Sequence, residues 1–393
     1  MRVFISEFLT CGAWTGPPQP SLIREGRAML RAAAIDFARV AGCRVVTTWD
    51  ARLEPPDLPG VEVRRTEGAA DEARLFRRLA RECDATLVIA PETGGMLAAR
   101  RRMLDDLGAR SLGPTVEAIE LTADKLRLAR HLAKCGIPTI PTEALSDEWR
   151  VTSDEFRVEN ARDQFSSLVT RHSSLSVVVK PRDGAGSLNT FIVSGLEELD
   201  RVRREFFRDG GDSPGIVQPF VAGRAVSMAA IVGSAGKKID LLPIVEQRVG
   251  RKGTGPFDAG RLSTREIPEM RQLDQSPFRV EYLGGRVPAE GVDAEAVRRL
   301  VRAALAAVPG LCGYVGCDVL VPADAPHAPL VVEINPRLTT SYLGYRELAE
   351  ENLAGRMWSA DEEQPPIRWR GVVVAFDADG TLRLEADRAK PQA

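Results

Sequence analysis

The first 113 residues alternate short apolar runs with longer amphipathic stretches, and this alternation restricts the fold more than any other feature of the chain. Residues 2–7 form a β-type run, a Gly- and Pro-bearing loop fills 10–20, and an Ala-rich helical stretch with Ser21 as its expected N-cap runs to about Val40. A strand at 44–48, a helix at 71–82 and a buried strand at 85–90 follow, the last ending at Pro91-Glu92-Thr93-Gly94-Gly95. Strands separated by helices pair in parallel, and such a sheet opens its ligand sites beyond the carboxyl ends of its strands. Residues 1–113 therefore read as a small doubly wound domain with two glycine-bearing loops at that end.

The rest of the chain follows a different pattern. Residues 114–137 read as one long helix with Asp124-Lys125 at its middle, stopped by Gly136 and Pro138. Strands at 176–180 and 190–193 flank a loop running from Pro181 through Arg182, Asp183, Gly184, Ala185 and Gly186 to Ser187, and a helix at 196–208 and a strand at 215–221 complete a unit over about 171–222. Strands near 225–232 and 239–245, a Gly- and Arg-rich loop from 247 to about 263, a helix at 293–308 and a hairpin over 314–335 come next. The tail, 370–384, reads as strand, Asp-Ala-Asp-Gly turn, strand. The expected divisions are 1–113, 114–352 and a C-terminal tail over 353–393, and the class is mixed α/β and α+β.

Composition narrows the function. Lysine and arginine number 53 against 55 acids, a net charge of -2, so the chain has no basic field for nucleic acid. No apolar run reaches membrane-spanning length and the first residues lack a signal-peptide layout, so the expected location is the cytoplasm, with no membrane partner. Six scattered cysteines without a Cys-x-x-Cys pair, and only three histidines, argue against zinc and read as buried free thiols.

Two segments carry chemistry. The loop after Lys180 offers backbone N–H groups to phosphate oxygens, although alone it is better read as an ordinary glycine-rich hairpin turn. It is neither a Walker loop nor a dinucleotide fingerprint. The strands 316–321 and 330–335 change that balance. If 322–329 is their loop, Val321 pairs with Leu330 and Asp318 falls opposite Glu333, with Asn335 on the same face and Val332 and Ile334 on the other. Two carboxylates and an amide oxygen facing one way suit Mg²⁺ on nucleotide phosphates, and Arg337 just beyond offers a planar donor.

In these residues the chain resembles the ATP-grasp superfamily, over about 114–346. The resemblance implies a nucleotide held between two antiparallel sheets, in a fold of two α+β lobes behind a small parallel-sheet domain. It places Lys125 and Lys180 on the phosphates, with Asp183, Gly184, Gly186 and Ser187 in a lid. It implies Asp318, Glu333 and Asn335 as ligands for magnesium, or manganese, and Arg337 and Lys180 as catalytic. Gln218, Phe220 and Val221 match the hinge that reads adenine, but the run Gly223-Arg224-Ala225 lacks the glutamate that many members place on the ribose. A narrower resemblance, through Glu7, Pro20-Ser21-Leu22, Arg24 to Leu30, Pro91-Glu92-Thr93 and the segment Asn335 to Tyr342, is to the tyramine–L-glutamate ligases of methanofuran-type cofactor synthesis.

The implied reaction activates a carboxylate as an acyl phosphate and joins it to an amine, releasing ADP and phosphate. A small-molecule kinase or a non-catalytic ATP sensor are the alternatives. The expected partners are ATP, a carboxylate and an amine, with room for a homodimer. Arg248 and Arg251 are candidates for an acidic substrate, with solvated surface arginines equally open. Glu7, Glu25 and Glu92 could meet the amine or simply cap and space the first domain, and for Glu25 the helix-surface reading is the better one, since acids are favoured near a helix N-terminus in any case.

Overall fold

Strand β1 (Arg2–Glu7) is buried along nearly its whole length, as the central strand of a parallel sheet must be. The computed structural model describes residues 1–14, 16, 20–145, 176–184, 189–194, 196–208, 215–234, 236, 238–251, 255–256 and 278–385. Helix α1 (Pro20–Ala38) starts one residue before Ser21, so Ser21 lies in its first turn and is not its cap. Then come β2 (Arg44–Asp50), β3 (Val61–Thr66), α2 (Ala69–Glu82) and β4 (Ala85–Ile89), and the four strands pair in parallel in the order β3-β2-β1-β4. Strand β3 escaped the sequence reading because it is an edge strand with Arg64 and Arg65 exposed, so its apolar signal is only Val61 and Val63. Helix α3 (Met96–Asp106) was also hidden: it buries Arg100 against Glu72 at 2.6 Å, a pairing that a polar sequence does not announce.

The expected long helix over 114–137 is two helices, α4 (Val116–Ala123) and α5 (Lys125–Lys134). Asp124 breaks them. Its backbone leaves the helical region (φ -90°, ψ 96°) and its carboxylate accepts from the amides of Leu126 and Arg127 at 3.1 and 3.0 Å. Capping a new helix satisfies donors that a continuous helix would not expose. Lys125 thereby becomes the first residue of α5.

A second, larger sheet follows. Its small lobe contains β5 (Glu143–Ala144), β6 (Ser176–Pro181), β7 (Phe191–Ser194), α6 (Leu196–Arg208) and β8 (Gly215–Pro219), with β6 between β7 and β8. The main lobe contains β9 (Gly223–Val232), β10 (Ile239–Arg251), β11 (Gly255–Pro256), β12 (Phe278–Val287), α7 (Ala294–Ala306), β13 (Gly313–Pro322) and β14 (Leu330–Asn335). Helices α8 (Ser341–Leu348) and α9 (Leu353–Trp358) lead to the terminal hairpin β15 (Val373–Asp377) and β16 (Leu382–Glu385). The path runs β14-β13-β9-β10-β12 and passes through β12 into the small lobe at β7.

β10 is longer than expected and places Arg248 and Arg251 on a strand where the sequence suggested a loop. Strand β12 was unreadable because Gly284-Gly285 interrupts it. A Cβ at Gly284 would lie 2.0 Å from the Phe376 carbonyl oxygen, and its φ of +127° is strained for any other residue. That glycine pair lets β15 pair antiparallel to β12, carrying Phe376 into the interior. One apolar core then runs from Val3, Phe37 and Trp49 to Tyr342, Tyr345 and Phe376. Asp36 of α1 fastens it by accepting from Tyr342 at 2.9 Å and from Arg346 at 2.7 and 2.9 Å. Among the described residues no helix is long and apolar enough to cross a membrane.

Candidate active site

The hairpin β13–β14 sets Asp318 opposite Glu333, as the residue count anticipated, but by a different route. Leu330 pairs with Leu320 and not with Val321, and a bulge at Val332 restores the register so that Glu333 still meets Asp318. The extra residue also turns Val332 toward the cleft, not away from it; Val331 and Ile334 face the core instead.

That cleft encloses about 290 Å³ between the two lobes and helix α1 of the N-terminal domain. At its centre Lys125 and Lys180 converge, only 8% and 7% exposed, with Lys125 Nζ 3.4 Å from Glu333 Oε2. Burial alone would raise the Glu333 carboxyl, but the two lysines outweigh it and hold it down at about 2. Burial and then the charge of Glu333 push Asp318 well above the carboxylate range. Asp318 also accepts from Gln247 Nε2 at 2.8 Å and Asn335 Nδ2 at 3.2 Å. Burial depresses Lys180 to about 8; Glu333 opposes that shift and Lys125 adds to it. Two crowded carboxylates, one of them forced toward its neutral form, and a neighbouring amide are an oxygen donor set that a divalent cation fits, because its charge removes the repulsion.

The loop after Lys180 enters the cleft at Gly184, whose carbonyl accepts a hydrogen bond from Lys125 Nζ. Its start is tied at two points. Arg182 grips Asp124 with two hydrogen bonds of 2.8 and 2.6 Å, and Asp183 accepts from the Gly94 amide at 3.0 Å. Gly186 and Ser187 lie outside the described residues.

Phe220 and Val221 line the cleft with Ile140, Val178, Leu320 and Val332, which together give it an apolar stretch of wall. Gln218 is buried and donates to Thr142 Oγ1 at 2.8 Å. Arg224 is turned away toward Glu246 at 2.8 Å and the carbonyls of Glu290 and Gly291. Among the described residues the carboxylates lining the cleft are Glu25, Asp318 and Glu333.

Arg337 lies within the cleft wall, its Nε 3.0 Å from the Glu92 carboxylate, with Nη1 donating to Leu338 O at 3.2 Å. Glu92 at the end of β4 is thus a partner of Arg337. Glu7 at the end of β1 is fully buried and accepts from the amides of Leu9 at 3.1 Å and Thr10 at 2.8 Å, which makes it the anchor of its own loop. Arg248 is paired with Asp377 of the terminal hairpin at 3.1 Å. Arg251 is at the end of β10, opposite Val280 and Gly255.

Three cleft residues were missed or misread from sequence. Gln247 was assigned to a loop, but its register on β10 brings it to Asp318. Tyr282, accepting from Thr340 Oγ1 at 3.2 Å, sits on the strand that the glycine pair concealed. Glu25, taken for a surface acid, faces the cleft. A period-two count through β10 would have found the first; the other two depend on long-range packing.

Comparison with known proteins agrees with this geometry. The ATP-grasp domain model matches residues 122–341 and the pre ATP-grasp 3 domain model residues 43–119. The chain is 23% identical over 335 residues to the tyramine–L-glutamate ligase of Methanocaldococcus fervens, covering 84% of this chain and 86% of that one. It is 24% identical over 181 residues to the D-alanine–D-alanine ligase of Francisella philomiragia; that match takes in 45% of this chain and only about half, 54%, of the relative. An ATP-grasp superfamily protein from Archaeoglobus fulgidus has the same fold, with TM-score 0.59 and 21% identity over 95% of this chain and 92% of that chain. The L-amino acid ligase of Bacillus licheniformis superposes with TM-score 0.62 at 15% identity, covering 95% and 78%. With a family model matched over more than half its length, this chain belongs to the ATP-grasp domain family.

Proposed function

We propose that the protein is an ATP-dependent carboxylate–amine ligase that makes an acyl phosphate and then an amide, releasing ADP and phosphate. The observation that carries this reading is the convergence of Lys125, Lys180, Asp318, Glu333, Asn335 and Arg337 on one cleft that continues past the phosphate end to α1. A nucleotide site alone would have no use for that continuation.

In this reading the adenine lies beside Phe220 and Val221, and the two lysines face the phosphates. Asp318, Glu333 and Asn335 would hold Mg²⁺, which when bound neutralises phosphate charge and draws the carboxylates into their ionised forms. Arg337, oriented by Glu92, presents its remaining N–H groups to the phosphoryl group in transfer, and its fixed position lowers the reorganisation needed as charge develops. Phosphoryl transfer asks mainly for positioning and charge, so no general base is assigned. The names of the relatives suggest the narrower proposal, L-glutamate as the acid and tyramine or a similar amine as its partner.

The test is ADP release over a set of carboxylates that includes L-glutamate, with hydroxylamine as trap. ADP and a hydroxamate are expected together for one of them. Release of AMP, or ADP without any hydroxamate, would overturn the ligase reading, the second outcome in favour of a kinase.

A further inference from the structure

Three glutamates of the N-terminal domain, Glu7, Glu25 and Glu92, stand near Arg337, and the structure gives them three different fates. Glu92 is paired with the guanidinium, and Glu7 has both carboxylate oxygens on backbone amides. Glu25 is different. It lines the cleft from the second turn of α1, and among the described residues its carboxylate makes no hydrogen bond or ion pair. Its position is set from behind. The next residue is Gly26, where a Cβ would fall 2.5 Å from Glu7 Oε1, so only a glycine lets α1 settle on the end of β1 and hold Glu25 over the cleft.

We propose that the Glu25 carboxylate receives the ammonium group of the amine substrate, in the part of the cleft bounded by Arg337, Tyr282 and Thr340. This rests on the ligase reading above. A carboxylate left mostly buried without a partner costs stability, and a ligand cation supplies the missing partner. The other carboxylates of the cleft are committed: Glu333 to Lys125, and Asp318 to Gln247 and Asn335. Burial raises Glu25 to about 7, with Arg337 and then Arg24 opposing, and a cation bound beside it would favour the ionised form. Arg337 feels both Glu25 and Glu333, so the ammonium site and the phosphate site flank the same guanidinium. Met29, one turn further along α1, adds an apolar wall, and a primary amine with an apolar body matches the pair.

The experiment is a competition in the full chain, with ATP and the carboxylate that yields hydroxamate. Hydroxylamine is uncharged at neutral pH and tyramine is a cation. In the wild type tyramine should suppress hydroxamate formation. In Glu25→Gln the tyramine concentration for half suppression, taken relative to that variant's own KM for hydroxylamine, should rise tenfold or more, and Glu25→Asp should recover part of the loss. If tyramine and ethylamine both fail to compete in the wild type, or Glu25→Gln competes as the wild type does, the proposal is overturned while the ligase reading stands. Loss of the ATP-induced thermal shift in Glu25→Gln would assign the residue to nucleotide binding or the fold, and would overturn it too. Absence of hydroxamate with every carboxylate defeats the ligase reading and this proposal with it.

Discussion

Glu7 is wholly buried, yet its carboxylate takes two backbone amides, and these opposing influences leave it raised to about 7, burial outweighing the hydrogen bonds. The sign of the resulting pH dependence follows from linkage. Between its unfolded value, about 4.3, and its folded value the native state keeps a proton that the unfolded chain has released. The stability it contributes is therefore full below about pH 4.3 and is lost as pH rises to and through about 7, by about 3–4 kcal/mol in all. Glu7→Gln cannot ionise, and its amide nitrogen opposes one of the donors it must accept from. The stability gap between wild type and this variant, measured by urea denaturation, should narrow by about 2–3 kcal/mol between about pH 5 and pH 8. Parallel pH profiles would show that Glu7 does not titrate in the fold.

The helix break at Asp124 is the element on which the proposed phosphate end of the site depends. One carboxylate caps α5 and also receives Arg182 from the loop after β6, so a single side chain fixes both Lys125 and the start of that loop. Loss of the cap costs about 1 kcal/mol, and the Arg182 pair, still partly open to solvent, adds little in stability. Its loss bears instead on geometry. Asp124→Ala should lower stability by about 1–2 kcal/mol by denaturant titration and weaken ATP binding several-fold by calorimetry. Unchanged ATP affinity in a destabilised variant would separate the cap from the site.

Across the whole molecule the terminal hairpin, α8, α1 and the parallel sheet share one core, with Phe376 packed over Gly285 and Gly344. The N-terminal sheet and the last strands therefore stand or fall together. Phe376→Ala should cost about 3–5 kcal/mol. Because the core is continuous, amide exchange in β1 should accelerate along with that in β15. Exchange confined to β15 and β16 would mean that the hairpin is an independent appendage.

Local sequence was enough wherever one element's own pattern carries the information. The alternation of β and α required a parallel sheet at the start, and the two apolar runs around Asp318 and Glu333 required a hairpin with both acids on one face. Even there the register came out right through compensation: one position fewer in the pairing at the turn is offset by the bulge at Val332. Tertiary structure decided what depends on atoms distant in sequence. Gly284 and Gly285 read as a break until Phe376, nearly a hundred residues on, occupies the space they leave. Glu7, Glu25 and Glu92 are chemically identical in the sequence. Only packing makes Glu7 a loop anchor, Glu92 a partner for Arg337 and Glu25 an unpaired carboxyl group facing the cleft, because burial and neighbours, not residue type, set what a carboxylate does.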